Sequence, residues 1–414
     1  MSVVLSYGQQ GRFECLVPAE RLVAVCAAPE PLADLPSAVR HALAEPLDFP
    51  PLWRAVVPGD HVVLALDRHT PQADVLIAAA YEIIAAQGVD PADILILQPT
   101  ALAGPQVTDP RSCLPEEVRD IVQWRVHDAT NPKQQAYLAT TANGERIYLD
   151  RDVVHADFVM SIGQIGFDPV LGYRGTNTVL YPGLSSTSAV QKARGFGHQE
   201  LDPEDERPLR QLVDEIGWLL GTQFSLQVLP SRGNGVAAVL AGFEQSVWQR
   251  GLELLAAQRE VQLLERAQTV VISVDADAAG HGWEQIGAAL ATARSLVVRG
   301  GKVVILSELN GNCGELSDGM RLVRDCRSPR EALKPLRVQV PPDFLPATQL
   351  AQSADWAKIY LLSRLDSALV EDLFMTPLDT EQEVSRLLAL GGDCAIIEGA
   401  QHTHGRLHTA DDSD

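Results

Sequence analysis

The chain has 414 residues, of which 46% are hydrophobic and 21% charged, and carries a formal net charge of −21. At about 100–200 residues per domain that length implies two or three domains, and so acidic a surface argues against nucleic-acid binding because it repels phosphate backbones. There is no run of about 18 apolar residues, and the opening MSVVLSYGQQGRF lacks a basic head before an apolar stretch, so neither a membrane span nor a signal peptide is expected.

The first 26 residues alternate as short strands around Gly8–Gly11, a helix follows near Pro36–Leu43, and the proline-rich EPLDFPP leads to a second short helix. HVVLAL (61–66) and DILILQ (93–98) are continuous apolar strands, and ADVLIAAAYEIIAAQG (73–88) between them has helical spacing. That pattern signals a parallel sheet covered by helices. YLATTANGERIYLD (137–150) reads as a hairpin whose Asn143-Gly144 supplies two positive-φ residues. FVMSIGQI (158–165) returns to the sheet and runs into GQIGFDPVLGYRGTNTVLYPGLSS (163–186), which packs five glycines and two prolines into 24 residues. Helices at 187–194 and 207–220, a hairpin around Gly233-Asn234-Gly235 and a helix over 243–266 come next.

A second α/β pattern begins at TVVISVDA (269–276) and continues through a helix at 283–298 and the strands KVVILSE (302–308) and IYLLSRL (359–365). Thr380 with Glu383 fits a capping box opening a helix over 381–390, and DCAIIEGA (393–400) is the last strand. The expected fold is α/β: two domains with Rossmann-like parallel sheets flanked by helices, over 1–266 and 267–402, with a ligand cleft between them and a mobile tail over 403–414. The six cysteines are scattered with no C-x-x-C pair, which speaks against a zinc module or a disulfide framework and fits a reducing cytoplasm.

Loops at strand ends are where chemistry is expected, since ligands of open α/β sheets bind outside the carboxyl ends of the strands. LDRHTPQAD (66–74) offers an anion-binding Arg68 and a titratable His69, or Asp67–Thr70 simply caps the helix after Pro71. QPTALAGPQ (98–106) is small and apolar and can shape a pocket without moving a proton. In the glycine-rich stretch, Gly172, Tyr173, Arg174, Gly175, Thr176 and Thr178 offer amides, hydroxyls and a cation suited to phosphate or carboxylate. Ser185, Ser186 and Thr187 can cap the next helix. Asp168, between Phe167 and Pro169, could serve as acid or base, or cap its loop. DADAAGHGWEQIG (275–287) brings His281, Glu284 and Gln285 together, and His402-x-His404 with His408 resembles a metal clip that nothing in a polar tail would hold in shape. No metal site is expected.

These residues resemble the lactate racemase family. ALAEPLDFPPLWRAVVPGDHVVLALDRHTP (42–71) resembles its N-terminal segment, with Asp67 and Pro71 in place. The 163–186 stretch resembles its cofactor loop, sharing Gly163, Ile165, Gly172, Gly175, Pro182, Gly183 and Ser186. The resemblance implies a nickel-pincer nucleotide tethered to a lysine, a histidine on nickel, and two further histidines that exchange the hydroxyl proton of a 2-hydroxy acid while hydride passes from C2 to the pyridinium ring and back.

Carried over residue by residue, the tether lysine becomes Thr178, the proton-exchanging histidines become Asp168 and Leu102, and the nickel histidine falls near Arg194, one helical turn before His198. The substrate arginine becomes Thr70, with Arg68 two places earlier, a substrate lysine becomes Ala288, and Gln285 falls where a substrate-facing glutamine is expected. Covalent attachment of the nucleotide is therefore not expected. The expectation is a diverged, cytoplasmic racemase or epimerase of 2-hydroxy or sugar acids using untethered nucleotide. Asp168 and His69 would be its proton carriers. Asp67, Arg68, Thr70, Gly172, Arg174, Gly175, Thr176 and Thr178 would lie around the cofactor, and Tyr173, His281 and Gln285 around the substrate. Its partner would be a small anionic metabolite or nucleotide. A catalytically inactive ligand-binding homologue, or a lyase in the same cleft, is the alternative.

Overall fold

The computed structural model describes residues 1–101, 107–194, 201–311, 316–389 and 392–408. Two compact units divide them: a middle unit from Glu30 to Leu255, and a terminal unit that joins Met1–Pro29 to the chain from Ala256 onward. The division expected near 267 thus falls near 255, and the first 29 residues leave the N-terminal domain expected over 1–266. The cause is strand pairing. Leu22–Cys26 lies parallel to Cys394–Ile397, and the buried Glu398 carboxylate accepts the backbone N–H of Ser6 (3.1 Å) and of Ala28 (3.0 Å). Among the described residues no helix is long and apolar enough to cross a membrane.

The middle unit is built on six strands in the spatial order Val236–Phe243, Phe224–Pro230, Phe158–Gln164, Val62–Leu66, Ile94–Gln98, Gln123–Val126, of which only the first is antiparallel to its neighbour. Side chains alternate across a strand, and the two faces differ here. One face carries Val62, Leu64, Leu66, Ile94, Ile96, Met160, Ile162, Leu226 and Val228 into a large apolar core with the helices Leu35–Ala44 and Ala73–Ala86. The central strands present Ala65, Ser161, Gly163, Ser225 and Gln227 on the other, all buried but small or polar. Ser161 Oγ donates to Ser225 Oγ at 3.0 Å, so the row is hydrogen-bonded to itself. A face of small residues lets the backbone of the glycine-rich stretch come down onto the sheet: the single turn Thr176–Val179 packs against Phe158–Gln164 and Phe224–Pro230.

In the terminal unit the order is Thr376–Leu378, Lys358–Arg364, Val297–Asn310, Ala267–Ser273, Cys394–Ile397, Leu22–Cys26, all parallel. Its core fills one face with Val270, Ile272, Val303, Ile305, Ile359 and the helices Trp283–Leu296 and Phe344–Trp356. The hairpin Ser2–Tyr7/Gly11–Leu16 covers the other with Val3, Leu5 and Phe13.

Three local expectations change. The helix expected over 243–266 ends at Arg259, and Glu260–Leu263 forms a strand parallel to His404–Leu407. The expected tail therefore begins with an ordered strand, while residues 409–414 lie outside the described residues. At the 137–150 hairpin only Gly144 has positive φ (82°), and Gly144 N–H donates to Thr141 O, a wider turn than the two-residue type. The Thr380/Glu383 capping box forms, with Thr380 N–H on Glu383 Oε2 (3.2 Å) and Glu383 N–H on Thr380 Oγ1 (3.4 Å).

Candidate acid–base and anion site in the middle unit

Chain order in the middle sheet runs outward in opposite directions from Val62–Leu66 and Phe158–Gln164, which are neighbours. In sheets of this order, ligands usually bind where the loops leaving the carboxyl ends of two such strands part. Those loops begin at Asp67 and at Ile165, so the two stretches singled out by sequence emerge side by side.

Asp67 extends its strand by one hydrogen bond, from its N–H to Ile162 O. Its Oδ1 then accepts both the backbone N–H (2.7 Å) and ring Nδ1 (2.9 Å) of His69. A carboxylate only accepts, so Nδ1 carries hydrogen and the ring is oriented. Burial acts to raise the Asp67 carboxyl, but the His69 ring and the nearby Arg174 guanidinium outweigh it and hold that carboxyl well below the usual range. Thr70, 3% exposed, donates its hydroxyl to Asp67 O at 2.6 Å and closes the loop. Asp67 does not cap the following helix, whose cap position is Gln72 with φ 51° and no side-chain bond. Arg68 is half-buried in the same loop.

The second loop folds into a short antiparallel pair, Gly166–Asp168 with Gly172–Arg174. Asp168 Oδ1 accepts the N–H groups of Val170 and Leu171, both at 2.9 Å, and Oδ2 accepts Arg174 Nη2 at 3.2 Å. That is the geometry of a turn cap paired with a cation, the second of its two sequence readings. Gly172 (φ +77°) admits no side chain, since a Cβ there would lie 2.2 Å from Pro203 O. Tyr173 stacks edge-on to Trp248 at 6.1 Å and lies 5.6 Å from Phe167, and Arg210 covers the Trp248 ring at 3.8 Å. Tyr173 is thus part of the packing that holds the turn.

Beyond Gly175, Thr178 Oγ1 accepts Gly175 N–H at 3.1 Å and Thr178 N–H returns to Gly175 O, so both amides serve the turn itself. Thr176 is buried with φ 49°, a left-handed conformation unusual for a β-branched residue. Asn177 reaches the other way, between Gly217 and Glu244, and donates to Glu244 Oε1 at 2.5 Å. Burial pushes the Glu244 carboxyl up, against the pull of Asn177 and Arg210. Ser186 Oγ accepts Ala189 N–H at 3.4 Å at the start of the helix Thr187–Arg194, while Ser185 donates to Tyr148 O.

Sequence reasoning missed a buried network in this unit. His127 and Asp150 are 1% and 0% exposed. His127 Nδ1 meets Asp150 Oδ2 at 2.7 Å and Nε2 meets Ser185 O at 2.9 Å, while Arg125 forks onto Asp150 and Asp152. Both ring nitrogens face pure acceptors, so both donate. The His69 ring sits in a loop, whereas His127 lies at a strand end with both ring nitrogens engaged.

The remaining candidates lie in the terminal unit. His281 Nε2 accepts Glu308 N–H (3.0 Å) and lies 2.9 Å from Ser307 Oγ, and its Nδ1 faces Asp275 O (3.1 Å). Burial pushes its pKa down, and the bonds fix one neutral tautomer. Gln285 donates to Asp277 Oδ1 and accepts Gly282 N–H, each at 2.9 Å, closing its own loop. His402, in the turn Ala400–His402, brings Nε2 to 3.7 Å from Asp277 Oδ2, and His404 sits in a paired strand. Among the described residues no group of three or more His, Cys, Asp or Glu could hold a metal ion. Leu102 and His198 lie outside the described residues, as does the side chain of Arg194.

Residues 7–199 match the sequence pattern of the lactate racemase N-terminal domain. The fold is similar to that of the lactate racemase apoprotein from Thermoanaerobacterium thermosaccharolyticum, at a TM-score of 0.77 and 17% identity over 98% of this chain and 100% of that one. It is also similar to a structural-genomics protein from Thermotoga maritima, at 0.65 and 13% over 92% and 100%. No curated protein sequence matches significantly. At those identities the two structures speak for the fold alone. Residues 7–199 thus carry a lactate racemase N-terminal domain, on a fold similar to that of the lactate racemase apoprotein.

Proposed function

We propose that the chain is an isomerase-type protein acting on a small 2-hydroxy acid or sugar acid held at the carboxyl edge of the middle sheet. The observation that carries this reading is the Asp67–His69 pair, in which one carboxylate oxygen takes both the backbone N–H and the ring Nδ1 and orients an imidazole at the sheet edge. Arg174, beside Asp67 and bonded to Asp168, supplies a cation for the acid's carboxylate. Asp168, which the sequence offered as a base, contributes by holding Arg174 and the turn.

The nickel-pincer nucleotide associated with the family does not fit this chain as a tethered group. Thr178 has a hydroxyl where the attachment needs an amine, and that hydroxyl is engaged by Gly175 N–H. The described residues offer no cluster of nickel donors. No step is assigned to the group here. What the chain's own residues supply is carboxylate binding and exchange of the hydroxyl proton at His69.

The test is chiral analysis of D- and L-lactate and of D- and L-glycerate incubated with the purified protein in D₂O. Inversion of either acid, lost in His69→Asn, supports the reading, and deuterium at C2 separates a proton route from a hydride route. Expression in a host that makes the pincer nucleotide, followed by nickel analysis and visible absorption, tests an untethered cofactor directly. Thr178 favours a second reading, binding without turnover: thermal stabilisation by one of these acids with no inversion would establish it.

A further inference from the structure

Six of the chain's 33 arginines and lysines fall within residues 321–337, against two acids, in a protein whose formal net charge is −21. The segment folds as two helices of the terminal unit, Asp318–Arg324 and Pro329–Gln339. Arg321 and Arg324 pair with Asp318 and Asp325. Arg327, Arg330, Lys334 and Arg337 are exposed and make no ion pair among the described residues. At positions i, i+4 and i+7, Arg330, Lys334 and Arg337 share one side of the second helix. Ala332 and Leu336 bury its opposite side in the core, and Val338, 75% exposed, adjoins the end of the basic stripe.

The stripe costs the helix stability. Like charges at i, i+3 and i+4 repel, and a cation in the first turn opposes the helix dipole. The helix's own acid gives no relief, because Glu331 Oε2 accepts the backbone N–H of Arg327 at 3.2 Å. We propose that Arg330, Lys334 and Arg337 form a docking surface for an acidic segment of a partner protein. The three cations span about 10 Å of helix, the length of three or four residues of extended chain. A short run of Asp or Glu can therefore set carboxylates against all three, with the arginine forks taking two oxygens each. A bilayer fits less well, since the helix's apolar side is already buried and leaves only Val338 to insert. Nucleic acid is disfavoured by the acidity of the chain as a whole, which repels a long phosphate backbone. The stripe belongs to the terminal unit and stands whatever reaction the middle unit performs.

Fluorescence anisotropy of the whole chain with a labelled octaglutamate peptide tests this, at low and at physiological ionic strength. The peptide should bind, and more weakly as salt rises. The triple variant Arg330→Gln, Lys334→Gln, Arg337→Gln should lower its affinity about tenfold or more, with a Tm at or above that of wild type because the repulsion along the helix is relieved. Lys334→Glu alone should also weaken binding and serves if the triple variant does not fold. Arg146→Gln with Arg151→Gln, which removes two exposed cations of the middle unit, should leave affinity unchanged. No binding of the peptide, or equal loss in the stripe variants and the middle-unit variant, overturns the proposal. So does tighter binding of a single-stranded oligonucleotide or of phosphatidylserine vesicles than of the peptide, if that binding is lost with the stripe.

Discussion

Both units place an aspartate and a histidine at the carboxyl edge of a parallel sheet, but by different routes. In the middle unit Asp67 and His69 come from one loop, two residues apart, and meet at 2.9 Å. In the terminal unit Asp277 and His402 come from loops far apart in sequence and stand 3.7 Å apart, with Asp277 already engaged by Ala279 N–H and Gln285. His281, the histidine that sequence favoured there, is fixed by a backbone N–H on one nitrogen and a carbonyl on the other. A histidine at a sheet edge is thus no signal by itself. What differs is the group that orients the ring: a carboxylate at His69, main chain at His281.

Four measurements would break or sharpen that contrast. The largest effect is expected at His69: His69→Asn should lower any turnover of the hydroxy acid by about 10²–10⁴-fold, the usual worth of a positioned acid–base group, with stability little changed. Unaltered turnover would remove the Asp67–His69 pair from the mechanism.

Next is the carboxylate that serves only structure. Asp150→Asn leaves the buried His127 and the Arg125 guanidinium without their counterion and should cost about 3–5 kcal/mol in urea unfolding. Although burial acts to raise it, the Asp150 carboxyl is held low by His127 and Arg125. Its contribution is therefore full above the unfolded value of about 3.9 and is lost as pH falls through the lower folded value. Wild type should weaken along that acid limb more steeply than Asp150→Asn.

Arg174→Gln should weaken binding of the hydroxy acid about tenfold or more, since a hydrogen bond to a charged group is worth roughly 1.5–3 kcal/mol; titration calorimetry reads this directly. The smallest effect is expected at His281. Its folded pKa is lowered by burial, so below the unfolded value of about 6.5 the unfolded chain takes up a proton that the folded one refuses, and stability falls with pH. His281→Asn should flatten the stability profile between about pH 6.5 and pH 5 at a cost near 1 kcal/mol in alkaline buffer. A slope that survives the substitution would assign it to another group.

How much of this was legible in the sequence follows from separation along the chain. Asp67-x-His69 and the glycine spacing of 163–186 are local, and both the strand ends and the loop positions expected from them hold. The Thr380/Glu383 cap is local too, and forms. Parallel pairing leaves no such trace: nothing near Leu22–Cys26 indicates that its neighbour is Cys394–Ile397. The same holds for His127 with Asp150, and for His402, which sequence placed in a loose tail and the structure puts beside Asp277. Asp168 was ambiguous for a different reason. Apolar neighbours in sequence said nothing about the two amides three-dimensional folding would bring to its oxygen.

The Glu398 carboxylate, which gathers the amides of Ser6 and Ala28 across as many as 392 positions, sets a timetable for biosynthesis. At about 5–20 residues per second the ribosome needs roughly 20–80 s to add that span, and for all of it Leu22–Cys26 lacks its neighbour Cys394–Ile397. Residues 30–255 meet no such delay, because every strand of their sheet is already translated. Ribosome-stalled chains ending near residue 390 should accordingly be cut by protease within 1–29 and resist over 30–255; protection at both places would mean that the N-terminal strands find an interim partner.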